Sequence, residues 1–140
     1  MNALSASTGA WLNRPAEPTV YVVTLPAGTV LLNANDRLHW RTKGRITKAL
    51  REAAADSARD AQIPPLDQVR ITAVLHPHDK RRRDPHNWYP SYKAAIDGLV
   101  DAGVIPDDDA KHLLGVEVVL GTPVRHNQVA LHIKPLGSES

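Results

Sequence analysis

The chain has no cysteine and no phenylalanine, one methionine, and only three tryptophans and three tyrosines. Without cysteine there are no disulfides and no thiolate metal sites, which fits a reducing cytoplasm, the expected compartment. The core contains no phenylalanine and is expected to be modest. No apolar run approaches the roughly 20 residues of a membrane-spanning helix, and no membrane partner is expected. The opening stretch MNALSASTGAWLNRPAEP lacks a basic start followed by an apolar segment, so it does not read as a secretory signal. Net charge is small, +2. What remains is a 140-residue chain, the length of one domain able to bury a core without staples. Residues 1–18 read as a flexible N-terminal arm, 19–135 as the folded domain and 136–140 as a flexible tail.

What the chain does have is segregated charge. Between Arg37 and Arg51 lie six bases, Arg37, Arg41, Lys43, Arg45, Lys48 and Arg51, with no acid among them. Lys80, Arg81, Arg82 and Arg83 form a second basic segment. Five acids follow between Asp97 and Asp109. A polyanion partner and a solvated helix face plus a charged loop both account for the bases.

Hydrophobic periodicity sets the elements. TVYVVTL predicts a strand over Thr19–Leu25, ended by Pro26. Gly28, Asn33, Asn35 and Asp36 mark turns, and Asn33 and Asn35 are consistent with turn building alone. Ile46, Ala49, Leu50, Ala53, Ala54, Ala58 and Ala61 keep helical spacing, predicting a helix over Thr42–Ala61. Its alanine stripe would let it lie close against a sheet. QVRITAVLH, GVEVVLGT and NQVALHIK read as strands, and Pro90–Ala102 as a second helix buried through Ile96, Leu99, Val100 and Val104. Lys93, Asp97 and Asp101, spaced by four, would share the other side. The order β-α-β-α-β-β implies a single small α/β or α+β domain, a mixed sheet with helices on one face.

Clustered carboxylates suggest a hard cation such as Mg²⁺, which takes oxygen ligands. A cation beside bases suits phosphodiester hydrolysis. Helix capping is the local alternative for Asp107–Asp109, and pairing with neighbouring bases the alternative for Asp84.

The order of these residues, RRRDPHN, then Lys93, then AAIDGLVDAGVIPDD, resembles RusA-like Holliday junction resolvases. In that family a basic run precedes Asp-x-Asp-Asn. A lysine, an Asp-x-Leu helix, Ala-Gly and a closing Asp-Asp follow. The matching residues are Arg81–Arg83, Asp84, Asn87, Lys93, Asp97, Leu99, Ala102, Gly103, Asp107 and Asp108. LNANDRLHWRTKGRITKALREAA also looks like the family's Asn- and Arg-bearing loop and first helix, and the resemblance spans about Val20 to Ile133. It implies a RusA-like fold and a homodimeric, Mg²⁺-dependent endonuclease, cellular or phage-encoded, that nicks four-way DNA junctions in recombination and repair. Carried across, Asp84, Lys93 and Asp108 are the catalytic residues, and Asp84, Asp97, Asp107 and Asp108 the metal ligands.

The chain departs from the pattern twice. His86 stands where the family has its second acid, and the lysine follows Asn87 three residues later than usual. The imidazole suits transition metals better than Mg²⁺, so Mn²⁺ is expected to support activity. His86 and Asn87 are expected beside the ligands or at a phosphate. Arg37, Arg41, Lys43, Arg45 and Lys80–Arg83 would contact the DNA backbone. Trp88, Tyr89 and Tyr92 would stack on unpaired bases or pack the helix start, and Trp40 invites the same two readings. His76 and His78 read as a strand-end surface pair. Three rival functions fit the same residues: a branched-DNA-binding protein whose catalysis is impaired by His86, a metal-dependent nuclease acting on other branched or single-stranded DNA, and a phosphate-binding domain that does not act on DNA.

Overall fold

A computed structural model describes residues 19–136; the arm expected over 1–18 and residues 137–140 of the expected tail lie outside the described residues. The chain folds as a small α+β domain with four strands and two long helices. In order these are β1 (Tyr21–Thr24), α1 (Trp40–Asp60), β2 (Val69–His76), a 3₁₀ turn (Pro85–Trp88), α2 (Tyr89–Asp101), β3 (Leu113–Leu120) and β4 (Gln128–Pro135). The expected order is the observed one, with the 3₁₀ turn added. The sheet runs β1-β4-β2-β3; β4 is antiparallel to both neighbours, and β2 and β3 are parallel.

Period-two alternation sets the buried face. Val23 pairs with Leu131, and Leu131 with Ala73, and all three are buried. Val22 and Thr24, the chain neighbours of Val23, are exposed. Both helices pack on the buried face through Leu50, Ala54, Ala58, Tyr92, Ala95, Ile96 and Leu99. Among the described residues no helix is long and apolar enough to cross a membrane.

The alanine stripe of α1 makes its closest approach to α2. A Cβ added at Gly98 would fall on the Arg51 carbonyl oxygen and 2.9 Å from the Ala54 Cβ. Only a residue with no side chain lets the two backbones come so close. Ala49 and Ala61, expected on the stripe, are exposed, and Ala55 is buried instead. α1 also starts two residues earlier than expected, because His39 Nδ1 accepts from the Arg41 N–H at 3.1 Å and caps the first turn.

The far end of α2 closes with a Schellman turn. Gly103 has φ 79°, its N–H bonds the Val100 carbonyl at 3.0 Å, and the Val104 N–H bonds Leu99 at 2.9 Å. This reversal carries the chain back toward the α2 side chains. Just past β4, Leu136 donates to the Gln68 carbonyl at 2.8 Å.

Candidate active site

Lys93 and Asp97 lie one turn apart on α2, so their side chains meet. Lys93 Nζ donates to Asp97 Oδ1 at 2.8 Å and to Asp108 Oδ2 at 2.6 Å. Asp108 reaches this point because the Gly103 turn sends the Pro106–Asp109 segment back along the helix. Both carboxylates are about two-thirds buried and Lys93 about half. The hydrogen bond from Lys93 holds the Asp108 carboxyl below its ordinary range. Its bonds to Asp108 and then to Asp97 raise the Lys93 ammonium in turn. At neutral pH Lys93 is therefore a cation held against the Asp108 carboxylate, with the Asp97 side chain on its other side.

The remaining predicted acids stand differently. Asp107 Oδ1 accepts from the Asp108 N–H at 2.7 Å, bracing the turn. Asp109 Oδ1 accepts from the Lys111 and His112 N–H groups, so it caps the turn into β3. Asp101, expected on the lysine side, makes a two-pronged ion pair with Arg51 at 2.5 and 2.8 Å, tying α2 to α1. Asp84 caps the 3₁₀ turn. Its Oδ1 accepts from the His86 N–H at 3.0 Å and lies 3.2 Å from His86 Nδ1. The backbone bond, then the ring contact, lowers the Asp84 carboxyl. No hydrogen bond joins Asp84 to Lys93, Asp97 or Asp108. Among the described residues, no three acidic or histidine side chains converge in a metal-binding arrangement.

Topology sets where the two segments start. The basic loop leaves the carboxyl end of β2, whereas Asp107–Asp109 enter the amino end of β3. These strands are parallel, so the two segments attach at opposite ends of a pair about 26 Å long. α2 spans the gap and carries Lys93 and Asp97 between them.

Within the basic loop, Asp79 is the organiser that the charge pattern hides. It pairs with Arg81 at 3.0 Å, with Arg83 and with His78 at 3.0 Å. The Arg83 side chain is only 13% exposed, so it braces the loop and is not presented to a partner. Arg81 keeps an exposed guanidinium, and Lys80 and Arg82 are exposed with no ion pair among the described residues. Arg37, Arg41, Lys43 and Arg45 are all exposed along the loop before α1 and its first turns. His76 Nδ1 lies 2.8 Å from the Thr122 carbonyl, so it and His78 face different partners.

Trp88 packs against the core, and the Tyr92 ring is buried with its hydroxyl donating to the Pro85 carbonyl at 2.7 Å. Burial raises the Tyr92 phenol well above its usual value. Of the three aromatics near the site, Tyr89 presents the most ring surface, 41% exposed and edge-on to Tyr92. Asn87 contributes through its backbone, its carbonyl accepting from the Ala34 N–H at 2.6 Å.

Sequence reasoning missed Ser91, which is fully buried. Its hydroxyl accepts from the Leu32 N–H at 2.6 Å and donates to the Leu32 carbonyl at 2.9 Å. Ser91 and Asn87 thus dock the loop before α1 onto the start of α2. A serine in a helix carries no local sign of such a partner.

No protein-family model matches the chain, and no curated protein shows significant similarity to it.

Proposed function

We propose that the protein is a metal-dependent, structure-specific DNA endonuclease that resolves four-way junctions, as its resemblance to RusA-like resolvases implies. The observation that carries this reading is the Lys93 ammonium held between Asp97 and Asp108. A cation already occupies the space between two carboxylates, and hard oxygen donors of this kind suit Mg²⁺. That ion is commonly held by one or two carboxylates together with substrate phosphates. Asp97 and Asp108 would hold the metal, with Asp107 beside them. In this proposal Asp84 joins on turning away from His86. When bound, Mg²⁺ or Mn²⁺ supplies Lewis acidity toward the scissile phosphoryl group. Lys93, once released from the carboxylates, offers a charged donor to the negative charge that grows on the phosphate oxygens.

The exposed bases support a backbone-reading role. Arg37, Arg41, Lys43, Arg45, Lys80, Arg81 and Arg82 give affinity without reading sequence. The homodimer that the resemblance implies would present two such sites about a two-fold axis, matching the symmetry of a four-way junction.

A cleavage assay on a synthetic four-way junction tests the proposal, with linear duplex and splayed-arm controls, in Mg²⁺, Mn²⁺ and EDTA. Paired nicks in the junction alone, abolished by EDTA and by Asp108→Asn, are expected. Tight junction binding without cleavage in either metal would replace the enzyme with a branched-DNA-binding protein, and cleavage without junction preference would replace the substrate. The bonding of the Asp84 carboxylate to His86 is the observation that favours the binding protein as the second reading.

A further inference from the structure

Gly44 stands inside α1, where glycine is the weakest helix former after proline. Gly98 in α2 is explained by the backbone pressed against it. Gly44 has no such reason: a Cβ added there meets nothing within 4 Å. The fold does not ask for this glycine, and a missing side chain lets a partner approach the backbone closely. One turn earlier, Trp40 is 70% exposed, a large ring left in water. His39 stacks on it, with ring centroids 5.6 Å apart and planes 27° from parallel, so the indole already accepts a flat partner. The Arg41 guanidinium lies 5.0 Å from the same ring.

Trp40, Gly44 and Lys48 fall one turn apart, flanked by Lys43 and Thr47, and they line an open groove of about 610 Å³. Glu52, Arg51 and Asp101 close its far end, where Asp101 is taken up by Arg51. Lys43 and Lys48 make no ion pair among the described residues. The groove therefore combines an aromatic face, a floor without a side chain and two ammonium groups free of ion pairs, with the Glu52 carboxylate at its far end. Asp101, at its end, is one turn of α2 from Asp97.

We propose that this groove binds a single DNA strand, with one unpaired base stacked on Trp40 over Gly44 and the flanking phosphates on Lys43 and Lys48. Flat rings linked by regularly spaced anions meet all three features at once. A duplex keeps its bases inside the stack, so the groove selects unpaired nucleotides, as at the branch of a junction. The inference rests on the DNA-directed reading above and adds to it the strand state and the residues that sense it. His39 is the ring that the base replaces.

Binding of a labelled oligothymidylate in EDTA tests this by fluorescence anisotropy. The controls are an equal-length oligomer with abasic residues and an equal-length duplex. Trp40→Ala is expected to weaken oligothymidylate binding about tenfold, the effect of one base stacked on an aromatic side chain, and to leave the abasic oligomer unchanged. Lys43→Gln with Lys48→Gln should weaken both oligomers and flatten their salt dependence. Gly44→Ala should raise the thermal midpoint while weakening oligothymidylate binding, which separates the groove from any folding defect. Equal effects of Trp40→Ala on both oligomers, or a duplex bound as tightly as the single strand, would overturn the proposal. Because no cleavage is measured, the two readings fail separately. Loss of the base effect with junction cleavage intact removes only the groove, and oligothymidylate binding without junction cleavage removes only the resolvase.

Discussion

The two halves of α1 use one helix in opposite ways. From Leu50 to Ala58 its inner residues are buried and pressed against Gly98. From Trp40 to Lys48 they stand largely in solvent, and Gly44 faces open space. Each half depends on a glycine, and the neighbours decide what the glycine means. Gly98 is fixed by backbone already in place, so it belongs to the fold. Gly44 is fixed by nothing inside the molecule, so its position is free for the strand proposed above.

That contrast sets the order of expected effects. Gly98→Val should destabilise the domain by about 3 kcal/mol, the upper range for overpacking a tight core, measured by urea unfolding. If it is tolerated, the close crossing of α1 and α2 is wrong. Ser91→Ala leaves both backbone groups of Leu32 without their buried partner. It should cost about 2 kcal/mol, and the loop before α1 should exchange its amide protons faster. Gly44→Ala should go the other way, stabilising by about 1 kcal/mol through helix propensity alone. A destabilised Gly44→Ala would mean that the open half has an internal role.

The smallest effect on stability belongs to Lys93, whose ion pairs are partly solvated and screened. Asp108 is lowered when folded, so its contribution is present above about pH 3.9, the usual carboxylate value, and fades as pH falls through the folded value below it. Lys93 is raised when folded, so its contribution is complete below about pH 10.4 and fades as pH rises through the folded value above it. The stability gap between wild type and Lys93→Met should therefore be flat at neutral pH and narrow at both extremes. A gap that grows in acid would contradict the pairing.

Legibility in the sequence followed the range of the interaction. Element order came from periodicity, which is local. The partner of the alanine stripe did not, because a stripe says that a face is close-packed without saying against what. β3 begins two residues before its expected start because Leu113 pairs with Val69, a strand distant in sequence. Lys93 with Asp97 was legible as an i,i+4 pair, and Asp108 arrived by way of the Gly103 turn. Asp84 carries a local signal. An aspartate before proline is a helix-start signature, and its carboxylate is committed to His86 as a cap. Asp79 was equally local, two and four residues from the arginines it gathers, yet a charge count sees only the arginines. The basic loop and the closing acids lie together in the chain but attach at opposite ends of the β2–β3 pair.

The central claim is that Asp108 and Lys93 mark a divalent-cation site serving DNA, and Mn²⁺ binding followed by electron paramagnetic resonance tests it most directly. Wild type and Asp108→Asn would each be titrated at neutral pH with and without a four-way junction. The account predicts bound Mn²⁺ in wild type, tightened by the junction, and at least about tenfold weaker binding in Asp108→Asn, the scale of one lost charge-assisted contact. Equal binding by the two proteins, or no binding by wild type even with the junction present, would contradict it.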